Sequence, residues 1–291
     1  MFLTAAVYDF TFDLEFHRRV PVTGYVVSSA ERRRALKLVD RALSKRQYKS
    51  AVSLVKQLQG KPYGLRGFGA AKQIIKRRLE LDESEVNGMD MLSLQPLVDS
   101  ILDSVQQCLQ ISFLEEILSA EKPESSMAEG RHSSRCEEQE HFICAQHEAG
   151  HFLVGYLMGV LPKEYQVPSV QALSQNRFAE GKVSFVGFEF LGETLNQFSC
   201  VTLGGLVAEL LVAGNSDGHL ADILKLWSVL TWFGLPKSEA DLHLRWAATN
   251  TAFIMSRHCE TRLRLAEAMT LAKPIGLCID TIENCLEGAI I

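Results

Sequence analysis

No run of about 18 apolar residues in this chain is free of charged side chains, so no membrane-spanning helix is expected. A phosphate-binding loop of the form G-x-x-x-x-G-K-[ST] is also missing. Gly60-Lys61 is followed by Pro62, and Val55 stands where the first glycine belongs. The chain therefore lacks a P-loop nucleotide engine. Its 7 cysteines, at 108, 136, 144, 200, 259, 278 and 285, form no C-x-x-C pair, which argues for reduced thiols over a disulfide framework. Acids are nearly absent from one stretch: Glu31 to Arg78 holds 15 Lys/Arg against 2 acids, Glu31 and Asp40, in a chain of net charge −5. From Glu80 to Glu140 acids dominate instead. A basic helical face can meet nucleic acid or anionic lipid but is ordinarily just solvated. No nucleic-acid partner is expected.

What is present suffices for one or two globular domains, at 291 residues, 47 % hydrophobic and 22 % charged. Residues 1–28 are unassigned; Asp9, Asp13 and Glu15 do not suit an acid-poor transit peptide. Residues 29–120 read as a basic helical accessory region. Apolar spacing predicts helices through Ala35–Leu43 and Ala51–Leu58, then over 70–81 and 92–119. The stretch 121–137, rich in Glu, Ser, Lys and Arg with Pro123 and Gly130, reads as an exposed linker. A second domain follows over 138–291, with helices at 238–258, 260–272 and 278–288. The alternation Val183/Phe185 and Val186/Phe188/Phe190 about Gly187 suggests a strand with a bulge. That strand either lies at an edge open to an extended peptide or belongs to a small sheet covering the core.

The strongest local signal is His147-Glu148-Ala149-Gly150-His151. Residues four apart share a helix face, so both imidazoles can reach one metal ion, with Glu148 beside them to take a proton from metal-bound water. With 8 His in the chain, chance supplies only about 0.02 such patterns. Phe142, Ile143, Ala145, Phe152, Leu153, Tyr156 and Leu157 surround the motif with apolar side chains, so the helix should be buried and should stop near Gly159. Histidines and a glutamate inside a buried helix need partners, and a metal provides them. Two protein ligands are too few, and a third must come from elsewhere. Asp222 falls early in a helical pattern that Asp217 can cap. Read alone, it is a first-turn aspartate favoured by the helix dipole. Asp241 and His219 are rival ligands. Ser238-Glu239-Ala240-Asp241 reads as a capping box, and His219 reads as a surface residue. Glu209, in the apolar run Leu206–Ala213, is either on an exposed stripe or buried against a partner, which a ligating histidine's free N–H could be. Gly204 and Gly205 suit a close backbone approach at a helix start, or a turn.

Three further segments join His147–His151 in a shared pattern. Leu203-Gly204-Gly205-Leu206-Val207-Ala208-Glu209-Leu210 resembles the L-G-G-R-x-A-E-E segment of the peptidase domain of FtsH-type ATP-dependent zinc metalloproteases. Ser216-Asp217-Gly218-His219-Leu220-Ala221-Asp222-Ile223 is similar to that family's S-x-G-A-x-N-D-L, and Thr231-Trp232-Phe233-Gly234-Leu235 to its T-x-F-G-M. The likeness covers roughly Glu140 to Pro236. It implies Zn²⁺ held by His147, His151 and Asp222, with Glu148 as general base. The departures are Leu206 for arginine, Leu210 for glutamate, Ala221 for asparagine and Leu226-Trp227 for Ala-Thr, all of which leave the ligands in place. Lacking the ATPase module, the chain looks like the ATPase-less FtsH-like proteins of plants, which implies a plastid. It further implies protein or peptide substrates, and partnership with further copies or an ATPase-bearing relative.

The expected fold is mainly α with a small β element, an α+β zinc-peptidase domain behind a helical accessory region. The expected activity is zinc-dependent endopeptidase cleavage of unfolded or damaged proteins. The alternative is a non-proteolytic FtsH-like regulator that binds a partner.

Overall fold

The structure is a computed structural model, and it describes residues 25–59, 61, 64–74, 85–86, 89–121, 137–175, 180–187, 194–216 and 220–287. Much of the expected linker and residues 1–24 lie outside these, as do Asp217 and His219. The fold is mainly α with a small β element. In chain order come α1 (Tyr25–Ser44), α2 (Tyr48–Leu58), β1 (Glu85–Val86), β2 (Met89–Asp90), a 3-10 turn (Met91–Leu94) and α3 (Gln95–Glu121). Then follow α4 (Glu137–Leu157), β3 (Pro162–Gln166), α5 (Val170–Gln175), β4 (Lys182–Phe185), α6 (Leu195–Ala213), α7 (Leu220–Trp232), α8 (Lys237–Arg257), α9 (Cys259–Thr270) and α10 (Ile275–Leu286). β1–β2 and β3–β4 are separate antiparallel pairs.

Helix α6 is the centre of the core. It is apolar almost all round, and Phe198 through Glu209 are buried. By length and composition α6 could cross a membrane, but two-thirds of its apolar window is packed inside the protein. One charged residue, Glu209, kept it out of the strict sequence criterion. Against α6 lies α4, buried continuously from Ala145 to Leu157. The two helices touch backbone to backbone: a Cβ on Gly150 would stand 2.3 Å from the Gly204 carbonyl oxygen, and one on Gly204 would stand 2.8 Å from the Gly150 oxygen. Gly204 and Gly205 are thus mid-helix residues, not the helix start or turn that their sequence suggested. Glycine's cost in a helix interior, about 1 kcal/mol, is offset by this close packing.

Helix α4 ends at Leu157, the chain turns at Gly159 (φ 84°), and the segment 64–74 closes over the helix's last turn. Gly69 and Ala71 donate to the Tyr156 and Leu157 carbonyls at 3.1 and 2.9 Å. Farther along, Ile74 N donates to Asn250 Oδ1 at 2.8 Å, and Trp246 Nε1 donates to Ile74 O at 2.6 Å. These bonds correct the expected helix over 70–81: residues 71–74 have no regular structure, and 75–81 lie outside the described residues. Their backbone groups find partners on α4 and α8, so an i→i−4 ladder has no advantage there. The segment is further held by Glu283, which accepts from Arg66 N and Gly67 N, both at 2.8 Å, and from Tyr156 Oη at 2.5 Å.

Helix α1 buries Leu36, Val39 and Leu43 and is fixed to α10 by charge. Asp280 accepts from Arg32 Nε at 2.7 Å and Arg33 Nε at 2.6 Å, with Arg32 and Asp280 both buried. Asp40 accepts from Gly276 N at 2.7 Å. One hydrophobic core therefore runs from α1 to α10. The capping box expected at Ser238–Asp241 does not form, because Pro236 is the N-cap and its carbonyl already receives Ala240 N. Asp241 is exposed on α8.

Replacing Asp280 by alanine takes the nearest carboxylate from the buried Arg32, leaving it Asn284 at 2.5 Å and Glu287 at 3.4 Å, and equilibrium unfolding should show a loss of about 2 kcal/mol. A pH effect comes from buried His258, at the α8–α9 junction. Burial, and then the neighbouring Arg257 charge, lower its pKa from 6.5 to about 4. The unfolded chain takes up this proton first, so stability falls as pH drops from 6.5 to about 4 and this contribution then levels off. The effect amounts to about 3 kcal/mol. Denaturant midpoints of His258→Gln should lack that component.

Candidate metal centre

Helix α4 places His147 and His151 one turn apart, and both are buried. The first turn of α7 brings Asp222 to them. His147 Nε2 and His151 Nε2 stand 2.9 Å apart, and Asp222 Oδ2 lies 3.2 and 3.0 Å from them. This is a triangle of three donor atoms, and the three residues can hold a metal ion. Atoms about 2.0–2.1 Å from a tetrahedral metal stand roughly 3.3 Å apart, so one ion needs only small outward shifts.

The tautomers sharpen the point. His151 Nδ1 lies 2.7 Å from the Val201 carbonyl, which can only accept, so that nitrogen carries the proton. His147 Nδ1 lies 2.6 Å from Glu209 Oε1, and Ser216 Oγ donates to the other carboxylate oxygen. With both protons on Nδ1, the two Nε2 lone pairs face one another and a carboxylate oxygen. Three acceptors at that spacing, two of them on buried imidazoles and one on a half-buried carboxylate, need a cation between them. Without metal, protons take that place. Burial opposes the charge on His147, but hydrogen bonds to Asp222 and Glu209 outweigh it and push the pKa up to about 10. His151 is also burial-opposed, yet it is raised by the charge and hydrogen bond of Asp222. Burial alone would raise Asp222, but the His151 charge and its two imidazole hydrogen bonds hold it well below the usual carboxylate range.

Glu148 projects from the same helix. It is 4 % exposed, and its Oε2 has no hydrogen-bond partner among the described residues. Burial raises its pKa against the pull of His151 and His147, and repulsion from Asp222 and Glu209 adds to the rise. A Cβ at Gly181 would stand 2.4 Å from Glu148 Oε1, so the chain entering β4 lies directly over this carboxylate.

The structure thus brings together His147, Glu148, His151, Glu209 and Asp222, and leaves Asp241 out. Glu209 is buried on α6 with a partner, not on an exposed stripe. Sequence reasoning missed the Val201 carbonyl, Ser216, Gly181 and the specific role of Gly205. A Cβ on Gly205 would meet His147 Nε2 and Cε1 at 2.4 Å, so this glycine is the space the imidazole occupies. Its adjacency to Gly204 was the available signal. On the other side of the crossing, buried Arg262 of α9 donates to Gln146 Oε1 at 2.8 Å and to the Ala208 carbonyl at 3.4 Å, bracing the residues next to His147 and Glu209. Of the departures, Leu206 and Leu226 join the hydrophobic core, while Ala221 is exposed. No protein-family profile, curated protein or solved structure matches the chain.

Gly205→Ala should fold but force the His147 ring off its bond to Glu209, lowering metal affinity about 10–100-fold in a chelator competition titration.

Proposed function

We propose that the chain is a zinc-dependent metalloendopeptidase acting on unfolded or damaged proteins, with His147, His151 and Asp222 as ligands and Glu148 as general base. The observation that carries this reading is the orphaned, buried Glu148 oxygen beside the three ligand atoms. Two imidazoles and a carboxylate are a donor set suited to zinc with a position left open. The same set suits iron, but Glu148 favours hydrolysis because it supplies the proton acceptor that hydrolysis requires. A bound Zn²⁺ supplies Lewis acidity to water and to the scissile carbonyl.

The chain's own residues do the rest. Glu209 and the Val201 carbonyl hold the Nδ1 protons of His147 and His151, which keeps both Nε2 lone pairs directed at the ion. Glu148 takes a proton from the attacking water and returns it to the leaving amine, and its raised pKa suits both steps. β4 pairs with β3 on one side, and Gly181, just before it, lies over Glu148, a position from which an extended peptide can be aligned. Without a phosphate-binding loop the chain supplies no unfolding force, which fits substrates that are already disordered or delivered by an ATPase-bearing partner.

The test is metal content by elemental analysis, run beside casein hydrolysis with and without a chelator. About one zinc per chain with chelator-sensitive cleavage supports the proposal. Zinc without cleavage, alone or with an ATPase-bearing partner, favours the non-proteolytic partner-binding alternative. Iron in place of zinc, or no metal, overturns the proposal. Glu148→Gln should keep the metal and lower turnover about 10²–10⁴-fold. Asp222→Ala should lose the metal, and Asp241→Ala should keep it.

A further inference from the structure

One face of α1 has no place in this chemistry. Opposite its buried stripe of Arg32, Leu36, Val39 and Leu43, the helix exposes Arg34, Lys37, Leu38 and Arg41, and the turn that continues it adds Lys45, whose N–H still donates to Arg41 O. At 1.5 Å per residue these form a stripe about 17 Å long. Arg34/Lys37, Lys37/Arg41 and Arg41/Lys45 are like-charge neighbours at three- or four-residue spacing, an arrangement that weakens a helix by itself. Among the described residues, none of the four cations has a carboxylate within ion-pair distance. The acids of α1 do not relieve them: Asp40 turns inward to Gly276 N, and Glu31 sits at one end of the stripe. The following turn adds exposed Arg46 and Lys49. General basicity is no explanation, because the whole chain carries net −5.

In the middle of the cations lies Leu38, a large apolar side chain left 46 % exposed. The stripe offers no exposed aromatic ring on which a nucleobase could stack. An apolar side chain framed by lysines and arginines on a helix otherwise anchored in the protein matches the surface of an anionic bilayer. Leu38 enters the acyl boundary while the cations meet lipid phosphates.

We propose that this face of α1 docks the protein peripherally onto anionic membrane surfaces, independently of the metal centre. The test is flotation of the full chain with phosphatidylcholine vesicles, with and without phosphatidylglycerol. Binding is expected only with the anionic lipid, and molar salt should abolish it. Arg41→Glu/Lys45→Glu should weaken partitioning about 25-fold or more, by about fivefold for each of the two positive charges removed. Leu38→Ser should weaken it several-fold without changing its salt dependence, and Lys237→Glu on α8 should have no effect. Circular dichroism checks that these surface variants remain folded. No binding to anionic vesicles, or binding indifferent to the two charge reversals, overturns the proposal. Binding to a homopolymeric RNA but not to vesicles, lost on the same reversals, assigns the stripe to nucleic acid instead.

Discussion

The candidate metal centre depends on how closely α4 and α6 approach. Gly150 and Gly204 have no side chains to separate the backbones, and a single methyl group at either would overlap a carbonyl oxygen. That proximity lets Glu209 and Val201 O on α6 reach the Nδ1 atoms of two histidines on α4. It also requires Gly205 to be small, since the His147 ring takes up the volume beside it. A wider crossing would leave both imidazoles without orienting partners. The donor triangle would then lose the geometry that makes it fit for one ion.

Such a site sets a severe electrostatic problem. Three carboxylates and two imidazoles converge where water is largely excluded, and unpaired charge in such surroundings is costly. The arrangement settles it by pairing: Glu209 with an N–H and a serine hydroxyl, Asp222 with two imidazoles. Of these five side chains, Glu148 keeps an oxygen without a partner among the described residues. Gln197 Oε1 and Arg262 Nε are also buried without partners among the described residues, so what sets the Glu148 oxygen apart is its place on the helix that carries both histidines.

How far the sequence reveals this depends on the range of each interaction. The His147–His151 spacing is a local property of a helix, and the apolar residues around it announce burial, so both are legible in one dimension. The class of the fold follows from the same periodicity. Ile74 shows the opposite case: its neighbours look helical, yet its backbone groups bind Asn250 and Trp246, more than 170 residues away. Ser238 and Asp241 have the residue types of a capping box, but Pro236 starts the helix two residues sooner and the box has nothing to cap. Gly205 is legible only as a glycine, because what it makes room for lies on another helix.

The bond between Arg32 and Asp280 joins residues 248 apart in sequence. Synthesis at about 5–20 residues per second means that α1 waits roughly 12–50 s on the ribosome before its partner helix exists. Through that interval Leu36, Val39 and Leu43 form an apolar stripe without its cover, and α2 alone can shield part of it. Helix α10 therefore completes the cover of α1 only after the whole chain between them has been made.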